Sequence, residues 1–303
     1  MPAELVLLAD ALVKATPLMI TGLAVALAFR GGVFNIGAEG QLLMGATAST
    51  AASLALGSVL GSATIVVAMM AGAVAGAAWA GIAAELRRRF HVLEIISTIM
   101  LNFIAIHLVS LLVRGPLQEP TGIYPQTSSI ATVARLPVLV GATRLHLGII
   151  IAIGIALGMA WMFNRTAFGF RIRSTGASPA AARSAGRIAV ERTTFHVFLL
   201  SGALAGIAGS IEVSGITFAL YENLSPGYGY TAIAVALIAG LNPLWVIASA
   251  IFFGSLETGA IALQRDLAIP SSLATVIEAV LILAAIGIAS MRGRQLIHTP
   301  VSP

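Results

Sequence analysis

Gly32-Val33-Phe34-Asn35-Ile36-Gly37-Ala38-Glu39-Gly40-Gln41-Leu42-Leu43-Met44-Gly45 sets an amide and a carboxylate inside otherwise apolar sequence. A carboxylate at membrane depth is expected to face protein or a water-filled cavity, not lipid. Asn35 and Glu39 are four apart, so the spacing predicts one helix carrying both on one face, while Gly37, Gly40 and Gly45 permit close backbone approach or a break. Two readings stay open from spacing alone: these groups hold a neighbouring helix or the interface, or they line a path.

Outward from that stretch the composition sets the class. Of 303 residues 58% are hydrophobic and only 10% charged, against about 25% charged in ordinary globular domains. The mean hydropathy is +0.98. This is the composition of an integral membrane protein. At about 20 apolar residues per crossing there is room for roughly eight or nine helices and no soluble domain of ordinary size. The predicted fold is therefore all-α, a polytopic transmembrane bundle. Cysteine is absent, which removes disulfides, thiol nucleophiles and thiolate metal sites. The net charge of +5 is carried by 16 Arg and Lys14, and in such a chain it is read as topology before nucleic-acid binding. Residues 1–29 carry Glu4 and Asp10 and lack the basic leader of a secretory peptide.

The first apolar run covers Leu5 to Phe29, with Lys14 suggesting a surface start and Pro17 a kink. A second reaches about Leu56. The third, Ser62 to Leu86, repeats Gly72, Gly76, Ala80 and Ala84 along one face, a small-residue packing seam. A fourth spans Val92 to Val113. Residues 114–144, with Pro116, Pro120, Pro125 and Pro137, form a loop broken only by the apolar piece Leu136 to Val140. The fifth run, Leu145 to Phe163, carries Gly154 and Gly158 as another small-residue pair. The sixth, Thr194 to Leu220, has a close-packing face of Gly202, Gly206 and Ser210 and a lone carboxylate, Glu212. Tyr221 to Tyr230 is an interfacial loop by its aromatics and turn formers. The stretch from Thr231 to Ala262 breaks at Gly240-Leu241-Asn242-Pro243, and its first piece is too short to cross. Such a half-helix or re-entrant segment is tolerated only where protein or a cavity surrounds it. A final run, Ser272 to Ala289, carries Glu278 and ends in Arg292 and Arg294.

Residues 164–192 hold six arginines against the single acid Glu191. Within them Ser178-Pro179-Ala180-Ala181-Ala182-Arg183-Ser184 begins like a helix, with Ser at the cap and Pro in the first turn, and Gly186 is placed to end it. From the residues alone this is either a basic loop or an element that docks a partner. With this loop, Arg30, Arg87-Arg88-Arg89 and the C-terminal arginines on the cytoplasmic side, that side holds 12 of the 17 basic residues, and the 114–144 loop faces outward. The N-terminus is then outside.

Several chemistries are missing. No Gly-x-x-x-x-Gly-Lys-Ser/Thr phosphate loop exists, so the chain is not itself an ATPase. There is no His-Glu-x-x-His pair, and His91, His107, His146, His196 and His298 are scattered as packed or interfacial imidazoles. Ser201-Gly202 near His196 lacks the setting of an intramembrane nucleophile. No catalytic residue and no metal site is expected.

The run Phe34-Asn35-Ile36-Gly37-Ala38-Glu39-Gly40-Gln41 resembles one near the start of the permease subunits of bacterial ABC importers for nucleosides and simple sugars. Ile96 to Asn102 followed by Arg114-Gly115-Pro116-Leu117, Leu200 to Gly209, and Gly229 to Leu237 with Asn242-Pro243 and Phe253-Gly254 are similar to the same family in the expected order. The resemblance implies one permease domain over 1–303, in a bacterial plasma (inner) membrane, binding no cofactor of its own and no nucleic acid. It implies a separate ABC ATPase using ATP and Mg, a second related permease forming a heterodimer, a solute-binding protein and surrounding lipid. Gly176-Ala177-Ser178-Pro179-Ala180-Ala181, with Ala182, Arg183 and Gly186 behind it, is similar to the coupling helix that inserts into that ATPase, although the acidic residue that often opens the motif is absent. The resemblance also implies one more apolar helix ahead of Ala15-Thr16-Pro17-Leu18, which these residues do not supply. Asn35, Glu39, Gln41 and Asn102 are the candidates for lining the solute path or holding the helices around it. Nucleosides are the expected solutes and simple sugars the alternative. The competing class is an ion-coupled secondary transporter using Glu39, Glu212, Glu257 and Glu278.

Overall fold

The computed structural model describes residues 3–185 and 188–267, with isolated positions 276, 279, 280, 283 and 284 beyond them. Gly186, Glu278, His298 and the run expected over Ser272 to Ala289 lie outside the described residues. Ten α-helices occur among those described: α1 Ala3–Arg30, α2 Ala38–Leu60, α3 Thr64–Phe90, α4 Glu94–Val113, α5 Gly148–Arg165, α6 Ala167–Ala177, α7 Pro179–Ser184, α8 Val190–Glu212, α9 Tyr228–Ile238 and α10 Pro243–Leu267. Six helical stretches are long and apolar enough to cross a membrane, one of them 38–90. That stretch is two helices, α2 and α3, folded back at the 3-10 turn Gly61–Ala63, where Gly61 takes φ +53°.

The centre is built from small residues. Gly45 of α2, Gly72 and Gly76 of α3, and Gly202 and Gly206 of α8 meet backbone to backbone. A Cβ at Gly45 or Gly76 would overlap the Gly206 main chain, and one at Gly206 would overlap the Gly72 carbonyl. The close approach places many atoms in dispersion contact where lipid supplies no hydrophobic drive between helices. Gly154 and Gly158 of α5 share the same spacing but are exposed, with open space around them. That pair makes no packing seam among the described residues, where no helix lies opposite it.

Two further expectations change. The helix expected to carry Asn35 and Glu39 begins only at Ala38, so Asn35 lies in the non-helical link 31–37 and Glu39 in the first turn of α2. The basic 164–192 region contains two helices. Thr166 caps α6 by accepting from the Gly169 N–H at 3.0 Å, and Ser178 caps α7 by accepting from Ala181 N–H at 3.2 Å. The structure gathers Arg30, Arg87–Arg89 and this region at one end of the bundle, where Gly32 touches Gly176 and Arg87 and Arg183 line one cleft.

Residues 114–147 and 218–227 interlock at the other end. Thr127 N–H donates to Leu220 O and Ile130 N–H to Phe218 O, both at 2.8 Å. Arg114, just past α4, forks onto Glu222 at 2.6 and 2.7 Å, and Ser110 also donates to that carboxylate. His146 is buried between Gly148 and Gly215, with Nδ1 accepting from the Gly148 N–H at 3.1 Å, and burial lowers its pKa to about 4.

Gly206→Ala is expected to cost at least about 2 kcal/mol by overpacking and to lower the unfolding temperature in detergent, whereas Gly158→Ala should leave it unchanged. The Arg114 and Ser110 donors hold the Glu222 carboxyl at about 2, below its ordinary 4.5. Since the folded value is the lower one, the fork stabilises fully above pH 4.5 and is lost as pH falls toward 2. Hydrogen exchange at 118–127, corrected for intrinsic rates, should therefore stay slow down to about pH 4.5 and accelerate below it, and Arg114→Ala should be fast throughout.

Candidate functional site

The link 31–37 turns back from the arginine-rich end and enters the bundle as non-helical chain. Asn35 is fully buried there, level with Ala24 of α1 and Ser201 of α8. Ser201 lies roughly 16 Å along α8 from Val190 at about 1.5 Å per residue, so α2 begins well inside the apolar layer. Its first backbone N–H groups have no partners within the helix, and lipid offers none.

Side chains from elsewhere meet that need. Asn102 of α4 accepts from the Gly40 N–H at 2.8 Å and donates to Ile36 O at 3.0 Å and to the Tyr230 hydroxyl at 3.3 Å. Asn35 and Gln41 exchange amide hydrogen bonds in both directions, at 3.0 and 2.9 Å. Asn35 also accepts from Gly37 N–H and donates to Ser201 Oγ, which passes its own proton to Ala24 O. All donors and acceptors of the pair are thereby occupied or nearly so, which is what makes burial of two amides tolerable.

The second helix with an end at depth is α9. Its 11 residues span about 16 Å, and its packing on α1 runs parallel, with Val235 against Gly22. Ser225 Oγ accepts from the Tyr228 N–H at 3.0 Å, and Glu39 Oε2 accepts from the Gly229 N–H at 2.7 Å. Ser225 hydrogen-bonds the same carboxylate. A carboxylate at a helix N-terminus also meets the positive end of the helix dipole. Gly229 is required for this approach, since a Cβ there would overlap the backbone of Glu39. Glu39 thus opens α2 and caps α9.

All four candidate side chains are 0–3% exposed: Asn35 0%, Glu39 3%, Gln41 1% and Asn102 0%. The structure brings them into one joint between α1, α2, α4, α8 and α9. Spacing gave no sign of Ser201, Ser225 or Tyr230 as partners, although Tyr230 lies in a stretch rich in aromatics and glycine. Lys14 is not a surface start. Its ammonium lies 2.7 Å from Glu257 of α10, with side chains 30% and 24% exposed, and 6.0 Å from the Tyr228 ring centre. Glu257 therefore pairs with α1. Among the described residues no three His, Asp or Glu side chains converge as a metal site requires.

The basic helices connect to the joint through backbone. Gly176 at the end of α6 lies against the Arg30 carbonyl and Gly32, and a Cβ at Gly176 would overlap that carbonyl; Gly32 itself takes φ +73°. On α7, Ala180, Ala181 and Arg183 are exposed and Ala182 is buried. A cavity of about 360 Å³ opens beside α7, lined by Arg87, Arg88, Glu94, Arg183, Glu191 and Phe195 among others.

Crossing helices around a broken helix, with buried polar caps at its depth, define a polytopic helical membrane protein. Residues 7–286 match the family described as branched-chain amino acid transport system, permease component, and the chain belongs to it. The chain is 38% identical to the glucose ABC transporter permease protein TsgB13 of Haloferax volcanii, over 91% of this chain and 75% of that one. It is 36% identical to the guanosine ABC transporter permease protein NupP of Bacillus subtilis, over 92% of this chain and 81% of the relative. The nucleoside ABC transporter permease protein NupB of Lactococcus lactis is 32% identical over 88% and 75%. No solved structure matches the chain.

Glu39→Ala is expected to strand the Gly229 N–H at depth and destabilise the fold by about 1–3 kcal/mol, whereas Glu39→Gln keeps an acceptor oxygen and should retain most of the stability. Unfolding of the two purified variants in detergent measures the difference; equal stability of Glu39→Ala and the parent would remove the capping role.

Proposed function

We propose that the chain is the permease subunit of an ATP-driven, binding-protein-dependent importer of nucleosides in a bacterial plasma membrane. The observation that carries the coupling is the contact of Gly176 with the Arg30–Gly32 turn. A permease with no phosphate loop must receive work through its arginine-rich end, and this contact leads from α6 and α7 to the joint that holds α2 and α9. The exposed face of α7 docks a separate ABC ATPase, which handles ATP and Mg. A second related permease completes the membrane unit as a heterodimer, and a solute-binding protein delivers solute to the interlocked loops of the other end. ATP-driven closure of the ATPases shifts α6 and α7, and the 31–37 link passes that shift to α2 and α9. Asn35, Gln41 and Asn102 hold these helices at fixed register, with Glu39 as the hinge pin between α2 and α9.

The relatives whose names include guanosine and nucleosides support a nucleoside as solute. Simple sugars are the second reading, supported by the glucose permease of similar identity.

Uptake of labelled guanosine into vesicles bearing the chain, its ATPase, second permease and binding protein tests both readings. ATP-dependent uptake that excess ribose or glucose fails to block is the expected result. Blocking by either sugar overturns the nucleoside assignment, and uptake that ignores ATP but follows a proton or sodium gradient overturns the importer. In the same vesicles Ala181→Glu, which leaves buried Ala182 untouched, should abolish coupled uptake while the permease still assembles; unchanged uptake would sink the docking role of α7.

A further inference from the structure

Glu212, at the last turn of α8, is 3% exposed, and its Oε2 has no hydrogen-bond partner. A buried carboxylate oxygen without a donor is costly, and in an apolar layer it marks a site of function. The backbone directly after it widens into a π-helical turn, Val213–Thr217, a local distortion that recurs at functional sites. The charged groups around Glu212 are Lys14 of α1, Glu257 of α10 and Arg144 of the interlocked loops, with the phenols of Tyr221 and Tyr228 in the same field. Tyr228 opens α9 one residue before the Glu39-capped Gly229. The cluster therefore lies beside the half-helix start, between α1, α8, α9 and α10.

We propose that this cluster is a solute-contact site of the path and that it grips the vicinal diol of a neutral solute. Two acids and two bases share one neighbourhood and their formal charges cancel, so neither a cation nor an anion gains from entering. Lys14 directs one bond to Glu257, which leaves ammonium hydrogens for hydroxyl oxygens. A carboxyl group meets two adjacent hydroxyls at once, accepting through one oxygen and accepting or donating through the other, and the free Oε2 is the atom left to do so. Tyr228 adds a phenol ring beside the ammonium. A ribose ring carries this diol, and so does a hexose.

The inference rests on the importer reading, and one experiment separates their failures. In vesicles with the complete importer and saturated binding protein, initial rates are measured for guanosine and for 2′-deoxyguanosine, which lacks the diol. Glu212→Gln is nearly isosteric and turns one carboxyl oxygen into an NH2 that cannot accept; it should lower the guanosine-to-deoxyguanosine rate ratio by roughly tenfold, the value of one hydrogen bond. Glu212→Ala should lower it at least as far. A general loss of folding reduces both rates together and leaves the ratio unchanged. A parental ratio in Glu212→Gln, at whatever absolute rate, overturns the diol site while ATP-dependent parental uptake leaves the importer standing. Parental uptake that ignores ATP overturns the importer itself. Uptake driven by an imposed pH gradient and lost in Glu212→Gln makes the carboxyl a proton carrier and overturns the site as well.

Discussion

The bond from the Gly229 N–H to Glu39 is the contact on which the architecture turns. A helix that crosses the apolar layer completely satisfies its own backbone, but one that starts inside it exposes donors where no water can reach them. Two helices here start inside. Each is closed by a side chain from a different helix, Asn102 for α2 and Glu39 for α9; Tyr230 and Ser225 hold these two caps in turn, while Asn35, Gln41 and Ser201 bond one another beside them. The polarity of the 32–45 stretch is therefore explained by backbone that would otherwise be unpaired. Small residues make this geometry reachable: without Gly229 the carboxylate could not approach, and without Gly45, Gly72 and Gly206 the three central helices would stand further apart.

Much of this was legible in the sequence. Hydropathy and the arginines outlined the helices and grouped the basic segments, and Ser178-Pro179 marked the start of α7 correctly. Asn242-Pro243 marked the break between α9 and α10 because proline lacks the donor a continuing helix needs. Where the sequence misled, it did so for physical reasons. Gly72 with Gly76 and Gly154 with Gly158 have one spacing and opposite environments, since only a partner helix makes a seam out of small residues. The four-residue interval between Asn35 and Glu39 fits a helix, yet the Asn35 side chain accepts from Gly37 N–H, two residues on, and so favours a turn over a continued helix. Lys14 looked interfacial because its counter-charge, Glu257, is 243 residues away.

The two ends of the molecule are held by different sets of contacts. At the arginine-rich end the chain is drawn together by backbone contact at Gly32 and Gly176, by cation–π contacts such as Arg30 over Phe163, 4.8 Å from ring centre, and by ion pairs such as Arg87 with Glu94 at 3.2 Å. At the opposite end a charged fork and loop-to-loop backbone bonds do the holding, and the fork, like the ion pairs of the first end, is sensitive to pH and salt. Between them lies the polar joint, where partners are neutral amides and a capped carboxylate. Motion at one end thus reaches the joint through steric contact, which neither salt nor pH weakens.

The caps also bear on how the chain assembles. Asn102 lies 62 residues from the Gly40 it caps, and Glu39 lies 190 residues from Gly229. As the polypeptide enters the membrane in order, α2 waits with its first turn open until α4 arrives. The Glu39 carboxylate then stays without its backbone donor while α5 to α8 are synthesised. Only when α9 arrives does the Glu39 carboxylate find its backbone partner. A chain cut off before Gly229 would leave a carboxylate in the apolar layer with no helix to cap, and that is a state a membrane quality-control protease can recognise.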